Sequence, residues 1–177
     1  MTALARPAAG EYDPASSGYV ALAPALDNPV HQLTAQRDCV HDVYARVTDD
    51  RVRHRYVPDK WTVRDVLGHV CDTERILAYR LLRVARGDAT PLPGFDENAY
   101  VPAAAFGRRP IGDVLEEWMA VREATIALVR GMPDEAWTRR GVANDQVVTA
   151  RGILYVLVGH VEHHLKVLDE RYGVRSG

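Results

Sequence analysis

No run of about 18 apolar residues, the length a helix needs to cross a bilayer, occurs in this chain. The first twenty residues carry one arginine and no apolar core of signal-peptide length. The expectation is therefore a cytoplasmic protein with no membrane partner. Charge of one sign is also lacking. Lys and Arg number 22 against 24 Asp and Glu, a net charge of −2, so no global field draws in nucleic acid. Cysteine is nearly absent. Cys39 and Cys71 make no disulfide framework and suit a reducing compartment. Only 2 Phe residues occur, and Leu, Val and Ala supply the apolar content, which favours helices over sheets. Internal repeats, low-complexity blocks and βαβ alternation are missing, which excludes a solenoid or a doubly wound sheet.

What remains is helical periodicity with clear punctuation. Residues 1–27 are rich in Ala, Pro, Gly and Ser and read as an irregular arm laid over the body, with room for a short turn of helix. Tyr12, Tyr19 and Leu22 are its candidate anchors; the alternative is a partly disordered tail. Asn28-Pro29 starts a helix that the spacing of Val30, Leu33, Val40, Tyr44 and Val47 carries to about Thr48. His31 and His41 lie on it as surface or packing residues. Trp61 precedes a second start, with Thr62 as cap and Asp65 in the capping-box position. Val66, Val70, Leu77, Leu81 and Val84 mark the buried stripe of that helix, about 63–85, closed by Gly87. Arg75, Arg80, Arg83 and Arg86 read as its solvated face. Residues 88–110 hold four prolines and two glycines and read as a lid or long crossover, pinned by Phe95, Tyr100 and Phe106. A third helix spans about 111–130. A helical turn at 133–137 and a polar loop with a weak hairpin signal follow. Thr149 caps a last helix that reaches residue 172. The expected architecture is all-α: a four-helix bundle over 28–172 with a long crossover, and a short tail at 173–177.

The last helix carries the chemistry. His160 and His164, four residues apart, share one face with Ile153, Leu157, Val167 and Leu168. Two imidazoles on a core-facing stripe can grip one cation, or can sit at a damp helix contact. His69, on or beside the stripe of the second helix, is a candidate third donor. Three imidazoles leave a divalent ion an open position for substrate, and imidazole suits several first-row metals. Glu162 follows His160 by two positions, about 200° around the helix, so it cannot play the base of a zincin. His163 is rotated about 100° from His164 and is a neighbour. Cys71 faces elsewhere and reads as a small buried residue. Glu74 is the one weak candidate for a general base.

The blocks YVPDKWTVRDVLGHVCDTERILAYRLLRVARGD, PLPGFDENAYV and GHVEHHLKVL, in that order, resemble the DinB-like superfamily. These are the YfiT-like four-helix bundle metalloproteins, distinct from the DNA polymerase that shares the name. The likeness covers roughly residues 20–172. It implies that His69, His160 and His164 bind a divalent metal, with Zn or Ni ahead of Fe or Mn. It implies similarity to S-transferases that use bacillithiol, mycothiol or glutathione as a low-molecular-weight thiol, with a small electrophile as second substrate. Many members are homodimers. The resulting expectation is a metal-dependent thiol S-transferase, with hydrolysis by metal-activated water as a variant. The alternative is a non-catalytic, metal-binding stress-response or interaction protein.

Overall fold

The computed structural model describes residues 3–174; residues 1, 2 and 175–177, the ends of the expected arm and tail, lie outside the described residues. The chain forms α1 (Ser17–Leu22), α2 (Pro29–Ala45), α3 (Asp49–Val52), α4 (Val63–Ala85), α5 (Glu97–Ala104), α6 (Ile111–Arg130), β1 (Arg140–Ala143), β2 (Gln146–Thr149) and α7 (Ala150–Tyr172). Single 3₁₀ turns occupy Pro14–Ser16, Phe106–Arg108 and Asp134–Thr138. The four long helices are the bundle. Among the described residues, no helix is long and apolar enough to cross a membrane.

Helix starts follow the side chains that satisfy their free N–H groups. The Asn28 side chain accepts from the His31 amide at 3.1 Å. Thr62 and Asp65 form a reciprocal capping box, at 3.1 and 3.0 Å. Thr149 accepts from the Gly152 amide at 3.1 Å. α2 stops at Ala45 rather than near Thr48, and the short α3 takes up the following acidic pair.

The helices pack in a ring: α2 against α6, α6 against α4, α4 against α7, and α7 lightly against α2. α4 and α7 are antiparallel. Tyr172 at the end of α7 donates to the Trp61 carbonyl at 2.7 Å, just before α4 begins. At the other end, Arg139 donates to the Ala85 carbonyl. The ring is tied through its middle by polar side chains from all four helices. Arg122 of α6 pairs with Glu74 of α4 at 2.8 Å and donates to Gln36 of α2 at 3.2 Å. Gln36 in turn donates to Glu162 and to the Val158 carbonyl of α7, at 2.7 and 2.9 Å.

The arm is ordered and belongs to the body. Arg6 donates to the Val20 and Ala23 carbonyls, and Leu4 bridges to Leu26. α1 lies on α7 because α7 carries glycine where the two backbones meet. A methyl at Gly159 would stand 1.8 Å from the Tyr19 carbonyl oxygen, and one at Gly152 would stand 2.0 Å from that of Glu11. Val20 is the buried anchor; Leu22, expected in that role, is 38% exposed.

The crossover departs from expectation in holding α5, despite Pro102 inside it. Asp96 caps that helix through the Asn98 and Ala99 amides. Phe106 pins the crossover by lying on Gly68, where a Cβ would meet its ring at 2.3 Å. Tyr100 does not pin it, being 45% exposed. The weak hairpin signal corresponds to β1–β2, antiparallel and joined by Asn144-Asp145, both with positive φ. Leu92 of the crossover bridges to Ala143 at its edge.

Candidate metal centre

His69 reaches the middle of the bundle from α4, and His160 and His164 reach it from successive turns of α7. His69 Nε2 lies 2.9 Å from His160 Nε2, and His164 Nε2 lies 3.1 Å from the same atom. The ligand atoms of all three fall within 4.8 Å of one another. The side chains are 6%, 4% and 8% exposed, so bulk water does not solvate the cluster.

Hydrogen bonding among the three cannot satisfy that arrangement. A neutral imidazole nitrogen is either a donor or an acceptor, and His160 Nε2 faces two neighbours with one site to offer. Protonation does not resolve it. Burial, followed by the charge of His163, pulls His69 down to about 4. Burial and then the neighbouring histidines hold His160 and His164 well below the ordinary imidazole value. Three unprotonated nitrogens converging in a buried site fit one divalent cation. Nitrogens held about 2.0–2.1 Å from a common ion stand roughly 3 Å apart, as they do across both His160 contacts.

The same shifts set an acid dependence for the metal-free protein. The folded-state pKa values lie below the unfolded value near 6.5. Between them the unfolded chain binds more protons, so stability is complete above about pH 6.5 and falls as pH drops toward 4. The expected slope is about 1.4 kcal/mol per pH unit for each histidine kept neutral. Urea unfolding of chelator-treated protein at pH 7 and pH 5 measures it; equal midpoints would contradict it.

The cluster opens into a cavity of about 470 Å³. Its walls come from α4, α7, the arm and the crossover. Trp61 lies against His69, ring centroids 4.6 Å apart. Tyr19 stands edge-on to His160 and His163, at 5.3 and 5.4 Å. A second cavity of about 260 Å³ shares Trp61, His163 and His164 with the first.

The other expected site residues separate cleanly. Glu74 does not line either cavity; its carboxylate is held by Arg122 in the bundle interior, where burial raises its pKa. It is therefore not placed to act as a base. Glu162 turns away to Gln36, as its rotation on the helix requires. Cys71 is buried, and burial pushes its thiol up to about 12, so it is no thiolate ligand. His31 and His41 are exposed. Sequence reasoning missed Asp13, Ser16 and Tyr19 of the arm, along with Arg80, all of which line the larger cavity. The one available signal was the pair of glycines inside α7, which marks a close backbone approach.

The DinB superfamily pattern matches residues 32–168. No curated protein matches this chain in sequence. The fold is similar to that of YfiT from Bacillus subtilis, described as a probable metal-dependent hydrolase with an unusual four-helix bundle topology. The TM-score is 0.69 at 18% identity, over 96% of this chain and 94% of that one. The bundle, the order of its elements and the sequence match over most of its length agree: the chain belongs to the DinB superfamily.

Proposed function

We propose that this protein is a divalent-metal-dependent enzyme in which His69, His160 and His164 hold the ion and a low-molecular-weight thiol is the nucleophile toward a small electrophile. The observation that carries the reading is the three-imidazole cluster opening onto a cavity large enough for a substrate. An ion held there supplies a Lewis acid that lowers the pKa of a thiol or a water.

The residues around the cluster favour the thiol. Glu74 and Glu162 are committed to Arg122 and Gln36, and the carboxylates that line the cavity, Asp13 and Glu97, come from the arm and the crossover and not from the helices that carry the histidines. A thiol, with an ordinary pKa of about 8.5, needs far less help to ionise than water at about 15.7. Trp61 and Tyr19 pack against His69 and His160 and present flat apolar surface to the cavity. Imidazole suits Zn, Ni, Cu and Fe alike, so the donors do not choose the metal, and Zn or Ni is the first expectation to test. The description of the Bacillus subtilis relative supports hydrolysis as the second reading.

Elemental analysis joined to a thiol-consumption assay tests the proposal. Metal-loaded protein is expected to consume bacillithiol, mycothiol or glutathione in the presence of an electrophile, and to stop after chelation. Ester or amide hydrolysis without thiol loss would move the assignment to the hydrolase. Bound metal with neither reaction would leave a non-catalytic metal protein.

A further inference from the structure

The Tyr19 hydroxyl is a polar group in the cavity wall that the fold does not use. The three buried tyrosines, Tyr44, Tyr155 and Tyr172, each donate to a backbone carbonyl, those of Val63, Leu4 and Trp61, at 3.2, 2.8 and 2.7 Å. Tyr19 is half-buried and lines the 470 Å³ cavity, yet among the described residues no bond to its hydroxyl is formed. Nor is its oxygen one of the buried side-chain atoms that lack a partner, so it keeps an opening to solvent. An open phenol hydroxyl in a cavity wall takes its partner from water or from a ligand.

Both ends of the residue are placed. The Tyr19 backbone is pressed on Gly159, the residue before His160, where a methyl would stand 1.8 Å from the Tyr19 carbonyl oxygen. The ring stands edge-on to His160 and His163, with centroids 5.3 and 5.4 Å apart. Burial raises the Tyr19 pKa and the charge of Glu97 raises it further, so the far end of the ring senses the crossover wall of the same cavity. The side chain therefore runs from α7, past the imidazole cluster, toward Glu97, and it keeps its proton at neutral pH. The charges on the wall decide what it can receive. Asp13 acts on Arg80, and Glu97 is the charge that acts on the Tyr19 hydroxyl. Glu97 repels an anionic acceptor at that point and leaves a neutral one undisturbed.

We infer that the Tyr19 hydroxyl is a ligand-binding donor of this site, holding a neutral carbonyl oxygen of a molecule whose other end reaches the histidine cluster. The inference deepens the proposed function and rests on it for what happens at the ion. The assignment of the hydroxyl rests on Tyr19 alone. It gives the substrate an uncharged carbonyl a few bonds from the atom that meets the ion. It also makes the arm a part of recognition as well as a wall.

Isothermal calorimetry with N-acetylcysteamine and pentanethiol provides the test. The two thiols have chains of equal length, and only the first carries an amide carbonyl. Each is titrated into wild-type protein and Tyr19→Phe, both metal-loaded and chelator-treated. Tyr19→Phe is expected to weaken N-acetylcysteamine about three- to tenfold, the net worth of a neutral hydrogen bond, and to leave pentanethiol unchanged. Two ligands crossed with two proteins separate the loss of the hydrogen bond from any change in packing. Metal content and the thermal midpoint of the ligand-free variant should equal those of the wild type, because the hydroxyl holds nothing in the fold. Tyr155→Phe, which strips the donor from the Leu4 carbonyl, should lower the midpoint by contrast.

Equal weakening of both thiols, or of neither, would overturn the inference. A lower midpoint for ligand-free Tyr19→Phe would do the same, since the hydroxyl would then be committed to a neighbour such as Glu97. Failure of N-acetylcysteamine to bind the wild type in either form is a third contrary result. Absent metal in the wild type removes the proposed function instead, and the comparison on chelator-treated protein then decides the role of Tyr19.

Discussion

His160→Ala is expected to remove divalent-metal binding from this protein. His160 Nε2 is the atom that both other imidazoles face, so its loss leaves His69 and His164 without a common centre. Two ligands from different helices bind far more weakly than three, and affinity should fall by more than about a hundredfold, beyond the range seen when an outer-shell partner is lost. Metal content by mass spectrometry reads this directly. Thermal unfolding gives a second reading. Metal at a hundredfold excess over its dissociation constant stabilises the native state by about 2.7 kcal/mol. For a chain of this size that is a rise in Tm of roughly 5–10 °C. The wild type should show the rise and His160→Ala should not. A variant that remains folded by circular dichroism and still binds one ion per chain would refute the three-imidazole centre.

Arg122→Ala is expected to cost about 3–5 kcal/mol of stability. The Arg122 and Glu74 side chains are 0% and 1% exposed, and each is the other's charge partner. Removing the guanidinium strands a carboxylate in the centre of the ring and leaves Gln36 with one partner fewer. Removing both charges is a different experiment. Arg122→Met combined with Glu74→Leu leaves no charge stranded, although the Gln36 oxygen still loses its donor, and should recover most of the loss, because an apolar pair of similar volume often equals a buried ion pair. Urea midpoints of the single and double variants compare the two. A loss below about 1 kcal/mol for Arg122→Ala would show that water or Gln36 already compensates the carboxylate. Metal affinity is expected to change little in the double variant, since neither side chain lines the cavity.

The parts of this fold that the sequence reveals are those whose cause is local. The starts of α2, α4 and α7 are set by Asn28, Thr62 with Asp65, and Thr149, each bonding an amide within three residues. His160 and His164 are legible for the same reason, because a spacing of four fixes a shared face. That His69 meets them depends on α4 packing beside α7, which no local pattern states; the resemblance supplied it. α5 escaped because Pro102 and a run of alanines argue against a helix and against an amphipathic one, while its support comes from the Asp96 cap. Trp61 precedes the start of α4 and packs back onto that helix, where its neighbour is His69. Arg80 read as one arginine of a solvated face, since period alone cannot tell a helix face turned to water from one turned to a cavity. The arm was legible as a segment laid over the body, but not as a wall of the cavity. Nothing in an Ala/Pro/Gly/Ser composition says that a segment is ordered, and what orders this one is the bare backbone of Gly152 and Gly159 more than 130 residues further along.

That docking has a practical corollary for anyone trimming the polypeptide. The superfamily-wide portion begins at residue 32, after Asp13, Ser16 and Tyr19 have passed. An expression fragment starting there would retain all three imidazoles and forfeit one side of the chamber they open into. It would also bare the two bald backbone patches of α7 to solvent. The same cut removes the Asn28 cap of α2 and the buried Val20, Ala23 and Leu26, so the fragment would lose part of the core along with one wall of the cavity.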